Sequence, residues 1–239
     1  MNDIKVLALD LDGTLTQHRT PLAEPNIGVL NALGERYKLL MVGAGQSLRI
    51  FRQMGEYPID IIGNYGMQYC TYDREKNTLV PVFDEHAPCN RESVSERIGI
   101  LREKYGYTEF AGDSVEFHDS GCVTFPLLGT RARIEDKIAF DPTHARRRIM
   151  YEDVKETFSD YTVFIGGSSS FDFAPKPYDK YYALDRYCRD HGLRHEELVY
   201  IGDDYREGGN DEAVYRSDFR FVCVDDYTRF GFYVKEFLE

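Results

Sequence analysis

The sequence has few cysteines and a deficit of positive charge, and both shortages narrow the classes of protein to consider. Its five cysteines among 239 residues are scattered and form no C-x-x-C pair. This predicts reduced thiols and excludes a disulfide framework or a zinc site of the usual spacing. Aspartate and glutamate number 41 against 29 lysines and arginines, a net charge of −12. Such a surface repels nucleic acid and anionic membranes, so we expect neither as a partner.

Long apolar runs are also absent. The longest ones are far too short to span a bilayer, so we expect no membrane segment. The start, MNDIKVLAL, lacks the basic region, the long apolar stretch and the cleavage site of a signal peptide, which predicts a cytoplasmic protein. The composition, 42% apolar and 29% charged, is typical of a soluble globular protein.

The order of the elements predicts an α/β fold. In the first third, strand-like and helix-like segments alternate, beginning with a strand: 4–9, 25–37, 38–45, 47–55 and 59–66. The last third resumes with a helix, a strand, a helix and a strand: 180–192, 198–204, 210–217 and 219–224. Such alternation is typical of a Rossmann-like parallel sheet with helical crossovers.

The middle third has a different pattern. It contains two strands about a D-S-G turn, then a helix, then a strand or hairpin with a Gly-Ser break: 115–128, 145–158 and 161–175. These elements predict an antiparallel α+β module. We place it at 84–175, as an insert that divides the core into 1–83 and 176–239.

Two carboxylates end the first predicted strand, in 10-DLDGTLT-16. Residues i and i+2 of an extended chain point the same way, so Asp10 and Asp12 should face one small region. Like charges at short range are costly unless a cation or phosphate chemistry uses them. A bare D-x-D with a glycine would be explained by a solvated turn. The longer string is more specific and favours a functional site.

Three more segments carry residues suited to the same site: the turn 42-VGAGQ-46, Lys180 at a helix start, and the acidic loop 202-GDDYREGGND-211. The loop contains Asp203, Asp204, Asn210 and Asp211. Singly, each segment has a simple structural explanation as a tight turn, a solvated lysine or a surface loop. Ligands bind beyond the carboxyl ends of strands in open α/β sheets, so the order and placement of the segments favour one shared site.

The chemistry that uses this set is phosphoryl transfer through an aspartyl phosphate. We expect Asp10 to act as the nucleophile and Asp12 as the general acid and base. Lys180 would neutralise the charge of the transferring group. Mg²⁺ is the expected cofactor, with Asp10, Asp12 and Asp203 as oxygen ligands.

On these motifs the sequence resembles the haloacid dehalogenase (HAD) superfamily, and the position of the insert is similar to that of a type IIB cap. Within that group it resembles the eukaryotic-type phosphomannomutases, in four segments: 10-DLDGTLTQHR-19, 166-GGSSSFDFAP-175, 179-DKYYAL-184 and 202-GDDYREGGND-211. The resemblance implies that Arg19 contacts the substrate and that Ser170 and Asp172 touch sugar hydroxyls. It also implies a homodimer through the cap.

The chain departs from the mutase pattern at three places. Cap arginines that hold the sugar's phosphate align with His118, Thr130 and Lys137, and Arg131 and Arg133 are nearby substitutes after a small change of register. The usual Ser or Thr after the second strand is absent. The backbone of Gly43, Ala44 and Gly45 is then expected to bind the phosphate. Tyr65 also stands where the mutases have asparagine.

Two enzyme functions remain open. A mutase must grip a second phosphate in the cap, whereas a phosphatase needs only the core site and water. Since arginine and lysine are not interchangeable at bidentate phosphate sites, the altered cap favours a phosphatase acting on a small phosphorylated sugar. A phosphomannomutase-type mutase is the alternative. A non-catalytic phospho-signalling or scaffold protein is the third, disfavoured because receivers are shorter and the catalytic set is retained. The sugar, any bisphosphate activator and the oligomeric state stay open.

Overall fold

The computed structural model describes residues 3–239 of the chain. Its strands are β1 (Val6–Leu9), β2 (Lys38–Val42), β3 (Asp60–Gly63), β4 (Gln68–Asp73), β5 (Thr78–Asp84), β6 (Glu116–Phe117), β7 (Val123–Pro126), β8 (Tyr161–Phe164), β9 (Ser170–Pro175), β10 (Leu198–Gly202) and β11 (Arg220–Cys223). Its helices are α1 (Asn26–Gly34), α2 (Ser47–Gln53), α3 (Arg91–Tyr105), α4 (Ile134–Phe140), α5 (Ala145–Thr157), α6 (Lys180–His191), α7 (Glu212–Tyr215), α8 (Phe230–Tyr233) and α9 (Lys235–Leu238). Short 3₁₀ turns lie at Asn64–Gly66, His195–Glu197 and Tyr227–Arg229.

The chain divides into two compact units. Unit 1 comprises the chain up to Glu85 together with Asp179–Glu207 and Asp211–Glu239. Unit 2 comprises His86–Tyr178 and Gly208–Asn210. That unit 2 acts as a cap which sets substrate specificity, as expected for the insert 84–175, stays a prediction.

Unit 1 is built on a seven-stranded sheet in the order β11-β10-β1-β2-β3-β4-β5. The first five strands are parallel, and β4 and β5 add an antiparallel hairpin at one edge. The predicted α/β class with a mainly parallel sheet is confirmed. The hairpin was not predicted, because most of its side chains are partly exposed and its apolar pattern is correspondingly weak.

Both faces of this sheet are covered. Along β1, Leu7 and Leu9 join one apolar cluster while Val6 and Ala8 join another, as strand alternation requires. Helices α1, α2, α8 and α9 supply side chains to the first cluster, and α6 and α7 supply them to the second. Burial on both faces explains why the sequences of these strands are nearly continuous apolar runs.

Unit 2 contains a four-stranded antiparallel sheet in the order β6-β7-β9-β8. The predicted strand pair within 115–128 forms as β6 and β7, and the predicted helix at 145–158 is α5. One face of the sheet packs against α3 and α5 through an apolar cluster that includes Val94, Ile98, Val123, Phe125, Met150, Val154, Phe171 and Phe173. The opposite face presents the alternate residues of the strands, among them Thr124, Ser170 and Asp172, all partly exposed.

One predicted helix is much shorter than expected. The sequence predicts a helix over 210–217, whereas α7 covers only Glu212–Tyr215. The segment before it is tied into a turn, because the Asp211 N–H donates to the Asp204 carbonyl oxygen and the Asp204 N–H donates to Oδ2 of Asp211. The helix therefore begins only after Asp211.

Candidate active site

Three parallel strands bring the predicted site segments to one edge of the unit 1 sheet. Strand β1 lies between β2 and β10, with Leu9 in register with Met41 on one side and Ile201 on the other. The residues that follow these partners are Asp10, the turn 42–46 and the loop that begins at Gly202. Parallel pairing therefore places the carboxyl ends of all three strands together, as the sequence predicts.

Lys180 lies at the centre of this edge. Its side chain is fully buried, and its Nζ atom is 3.0 Å from Oδ1 of Asp10 and 2.7 Å from Oδ1 of Asp211. The lysine is the first residue of α6, whose start is fixed by Asp179, because the Asp179 carboxylate accepts the Tyr182 N–H. The structure thus brings together Lys180 and Asp10, which are 170 positions apart in the chain by their residue numbers.

Three carboxylates converge beside this lysine. Single oxygens of Asp10, Asp203 and Asp211 lie within 4.8 Å of one another. The predicted ligand set was Asp10, Asp12 and Asp203, so Asp211 stands in the cluster where Asp12 was expected. Three hard oxygen donors with one ammonium suit a divalent cation such as Mg²⁺, which offsets the excess negative charge.

The charges of the cluster shift the acidity of its members. Burial raises the pKa of Asp10 to about 7, against the opposing effect of Lys180. Burial, reinforced by the negative charges of Asp10 and Asp211, raises the pKa of Asp203 to about 9. Burial alone would lower the pKa of Lys180, but its two carboxylate neighbours outweigh this effect and the net shift is upward. The lysine therefore stays charged, and the carboxylates need a further cation to ionise together at neutral pH.

Asp12 occupies a separate position beyond the end of β1. The chain turns there, because the Leu11 carbonyl oxygen accepts the N–H groups of Leu15 and Thr16. Oδ1 of Asp12 accepts two hydrogen bonds of 2.7 Å, one from the Arg19 backbone N–H and one from Nε2 of Gln53. Asp10 joins the carboxylate cluster, whereas the role of Asp12 as general acid and base stays a prediction.

Several supporting residues were not recognised from the sequence. The Thr14 hydroxyl donates to Oδ1 of Asp203 at 2.8 Å, and the Tyr200 hydroxyl donates to Oδ1 of Asp211 at 2.6 Å. Gln53, at the end of α2, is the third. Thr14 lies inside the motif 10-DLDGTLT-16, so its place near the site could have been predicted from the sequence. Tyr200 and Gln53 carried no such signal, because each reads as part of an ordinary strand or helix.

The glycine turn after β2 is held by backbone contacts. The Gly43 N–H donates to the Ile62 carbonyl oxygen, and the Gly45 carbonyl oxygen accepts the Asn64 N–H. Within residues 3–239, neither the Ala44 nor the Gly45 N–H donates a hydrogen bond to the protein. Both therefore suit the predicted role in phosphate binding. Tyr65, which was noted as a departure from the family, is buried near this turn with a φ of 57°.

The remaining predicted residues of unit 1 and of the acidic loop lie outside the carboxylate cluster. The Arg19 side chain is exposed, and its backbone has a φ of 58° that directs the N–H to Asp12. Asp204 contributes a backbone N–H to Asp211. Asn210 is part of unit 2, although Asp211, the next residue, is part of unit 1.

Unit 2 brings together some of the predicted sugar-contacting residues. Oδ1 of Asp172 accepts the Thr124 hydroxyl at 2.9 Å, and the Thr124 oxygen is 3.1 Å from Nε2 of His118. The Ser170 hydroxyl donates to the Gly166 carbonyl oxygen at 2.9 Å. Thr124 was not predicted as a site residue.

The cations of unit 2 that were predicted to bind phosphate do not share a common partner. The Arg131 side chain is exposed, and Arg133 has 73% of its side chain exposed beside Glu135 and Asp136, at 3.5 and 3.6 Å. The Lys137 ammonium donates to the Thr130 carbonyl oxygen at 3.0 Å. Each cation has a local partner or faces solvent in this conformation.

The fold has clear counterparts among solved structures. An IMP-nucleotidase from Plasmodium falciparum matches with a TM-score of 0.68 and 15% identity, covering 98% of this chain and 70% of the nucleotidase. A phosphatase of the HAD enzyme superfamily from Bacteroides thetaiotaomicron matches with a TM-score of 0.60 and 16% identity, covering 98% of this chain and 95% of the other. These likenesses define the class of protein: it has the HAD fold.

Sequence comparison finds relatives in one group of enzymes. Residues 109–225 match the family model for eukaryotic phosphomannomutase. The phosphomannomutase of Triticum aestivum is 29% identical over 234 residues, covering 90% of this chain and 88% of the relative. That of Encephalitozoon cuniculi is 26% identical over 231 residues, covering 88% and 84%. The predicted resemblance to the eukaryotic-type phosphomannomutases is confirmed, and with it the prediction of an enzyme of the phosphosugar mutase or phosphatase type.

The structure also bears on the predicted absence of a membrane segment. Among residues 3–239, no helix combines the length and the apolar character needed to cross a bilayer.

Proposed function

We propose that the protein is a Mg²⁺-dependent phosphosugar mutase of the phosphomannomutase type, which moves a phosphoryl group between the 1- and 6-oxygens of a hexose. The observation that carries this proposal is the family match over 109–225. That range includes Ser170 and Asp172 as well as Lys180, Asp203 and Asp211. It therefore favours the mutase over the phosphatase preferred from the sequence.

In the first half-reaction, a carboxylate oxygen of Asp10 attacks one phosphorus of a hexose 1,6-bisphosphate, and the bond from that phosphorus to the sugar oxygen breaks. Asp12 gives its proton to that oxygen, so a hexose monophosphate leaves with a free hydroxyl. In the second half-reaction, the free hydroxyl of a hexose monophosphate, bound with its own phosphate remote from Asp10, attacks the phosphoryl group on Asp10 and restores the bisphosphate. Asp12 then takes the hydroxyl proton, and Asp10 is released as a carboxylate. The hydrogen bonds from Gln53 and the Arg19 backbone hold Asp12 for both transfers.

The other residues of the cluster organise charge around Asp10. Lys180 holds the nucleophile through its ammonium, and Asp211 holds Lys180. Thr14 orients Asp203 as a ligand, and Asp10, Asp203 and Asp211 are the residues that would hold the cation. When bound, Mg²⁺ supplies positive charge that offsets the phosphoryl oxygens and lets the carboxylates ionise together.

A phosphatase acting on the same small phosphorylated sugars is the second candidate. One observation favours it: Arg131 and Arg133 are exposed, and the Lys137 ammonium is engaged with a carbonyl oxygen. These three cations therefore do not form a preformed second phosphate site. Such an enzyme would use the same Asp10 chemistry, with water in place of the second hydroxyl.

One assay separates the two functions. The protein is incubated with Mg²⁺ and a panel of hexose 1-phosphates, with and without a hexose 1,6-bisphosphate, and both isomerised product and free phosphate are followed. We expect isomerisation that the bisphosphate stimulates and that exceeds phosphate release. Phosphate release without isomerisation would instead establish the phosphatase. No turnover with either readout would contradict both.

The remaining expectations follow from the sequence and from the resemblance. They are a cytoplasmic location and a homodimer formed through unit 2. Size-exclusion chromatography with light scattering tests the second, and a monomer across the working concentration range would contradict it.

A further inference from the structure

A chain of hydrogen bonds lies on the face of the unit 2 sheet opposite its apolar core. Thr124 of β7 and Asp172 of β9 are register partners, and the Thr124 hydroxyl donates to Oδ1 of Asp172 at 2.9 Å. Nε2 of His118, just beyond β6, is 3.1 Å from the same threonine oxygen. None of the three side chains belongs to the apolar cluster beneath the sheet.

The number of available protons fixes which group donates and which accepts in each of these hydrogen bonds. A threonine hydroxyl has one proton, and Thr124 gives it to a carboxylate oxygen, which is an acceptor. The contact between His118 and Thr124 is then a hydrogen bond only if Nε2 of His118 carries the donated proton. The series of hydrogen bonds therefore runs from His118 through Thr124 to Asp172. Each donor polarises the next group toward the carboxylate.

The other carboxylate oxygen is confined from the opposite side. A Cβ atom added to Gly166 would lie 2.0 Å from Oδ2 of Asp172, so the glycine backbone sits directly against this oxygen. The fully buried Arg147 fixes that backbone, since it donates to the carbonyl oxygens of Gly166 at 2.7 Å and Ser170 at 3.0 Å. The arginine is itself held by an ion pair with Asp141 at 3.0 Å. Asp172 is therefore restrained at both oxygens.

We propose that Thr124 and His118 are positioning residues that hold Asp172 in the one orientation that accepts a hydroxyl of the sugar substrate. The inference rests on the proposed function, because the contact between Asp172 and the sugar comes from it. The substrate class is a phosphorylated sugar with a free ring hydroxyl that donates a hydrogen bond to Asp172. A carboxylate that could rotate would lose this selectivity, because the hydrogen bond would be satisfied in several orientations.

The test compares steady-state kinetics of Thr124→Val, which removes only the hydroxyl, with Thr124→Ser, which restores it. For Thr124→Val we expect KM for the hexose phosphate to rise about 3- to 10-fold with kcat little changed, as for loss of one hydrogen bond. Thr124→Ser should return KM to within about twofold of the wild type, since its hydroxyl can donate again. His118→Leu should raise KM in the same direction by a smaller factor.

The matched control is Thr162→Val. Thr162 lies on β8 of the same sheet, two residues before the register partner of Asp172 and hence on the same face. We expect its KM to equal that of the wild type. Thermal melting of every variant reports folding separately. An equal rise of KM in both valine variants would overturn the proposal, because the effect would then be a general one on the sheet.

A double-mutant cycle with Asp172→Ala separates failure of this inference from failure of the proposed function. If Thr124 acts through Asp172, adding Thr124→Val to Asp172→Ala should change KM by less than about twofold. If Asp172→Ala alone leaves KM unchanged, the proposed contact with the sugar is wrong and the inference fails with it. If Asp172→Ala raises KM but Thr124→Val does not, or the two effects multiply, only the positioning role is overturned.

Discussion

The hydroxyl of Tyr200 donates a hydrogen bond to Oδ1 of Asp211 at 2.6 Å, deep inside unit 1. The same oxygen accepts the ammonium of Lys180 at 2.7 Å, and all three side chains are buried. Tyr200 thus sets the orientation of the carboxylate that holds the site lysine. Burial raises the pKa of Tyr200, so the phenol keeps the proton that it donates.

Replacing Tyr200 by phenylalanine should lower the free energy of unfolding and slow catalysis. The substitution removes one hydrogen bond to a charged group, an interaction worth about 1.5–3 kcal/mol. Urea denaturation measures the loss. The matched control is Tyr205→Phe, whose hydroxyl donates to the exposed Asp225 at 2.9 Å and whose loss should cost less than about 0.5 kcal/mol. Equal effects of the two variants would show that Tyr200 has no special role.

Asp10→Asn should abolish turnover and leave the fold intact. The amide has nearly the shape of the carboxylate but cannot form an aspartyl phosphate, so we expect a loss greater than about 10⁴-fold in kcat. Asp60→Asn is the control, because Asp60 is another buried aspartate of the same sheet that lies outside the carboxylate cluster. Activity of Asp10→Asn within about tenfold of the wild type would remove Asp10 from the mechanism.

Without a divalent cation, stability should fall as the pH rises. Folding raises the pKa of Asp10 to about 7 and that of Asp203 to about 9, from an ordinary value of 3.8. The stability from their protonated forms is complete below the unfolded pKa and is lost as the pH rises through the folded values. In EDTA, the melting temperature should therefore decrease between about pH 5 and pH 9.

Two comparisons check that the decrease arises in the cluster. Added Mg²⁺ should raise the melting temperature more at high pH than at low pH, because the cation favours the ionised carboxylates. Asp203→Asn should flatten the decrease in EDTA, whereas Asp225→Asn, at an exposed aspartate, should leave it unchanged. If Asp203→Asn and the wild type show parallel curves, the cluster is not the source.

Gly13→Ala should weaken cation binding. Gly13 has a φ of +98°, and a Cβ atom there would lie 2.2 Å from Oδ2 of Asp203. The methyl group must displace a carboxylate of the cluster. Gly55→Ala is the control, because Gly55 has a φ of +65° with no atom near an added Cβ and so reports backbone strain alone. Mg²⁺ titration followed by the melting temperature measures the difference, and equal midpoints in the two variants would count against a role for Gly13.

The triple change of Arg131, Arg133 and Lys137 to alanine tests how unit 2 serves the reaction. In a mutase these are the cations available to grip the phosphate remote from Asp10, and each charge-assisted contact is worth about 1.5–3 kcal/mol. We expect isomerisation to be lost. In a phosphatase the same change should mainly raise KM, while phosphate release continues. Unchanged kinetics in both assays would show that none of these residues binds the phosphate of the substrate.

The sequence by itself determined the class of fold and predicted the chemistry of the site. The apolar runs of β1, β2 and β10 predict buried parallel strands because their periodicity is a local property of the chain. The motif 10-DLDGTLT-16, the helix start at Lys180 and the acidic loop carry the residue types that phosphoryl transfer requires, so Asp10, Lys180 and Asp203 were predicted as site residues before any contact was known.

Only the tertiary structure decided which of these groups share a cluster. Asp211 joins Asp10 and Asp203 because the Lys180 ammonium contacts both Asp10 and Asp211, and because Tyr200 also holds Asp211. The roles of Tyr200 and Thr124 were invisible in the sequence. Thr124 meets Asp172 through the register of two strands, and Tyr200 meets Asp211 because the loop after β10 folds back over that strand. Such contacts join residues far apart in the chain, and no local pattern records them.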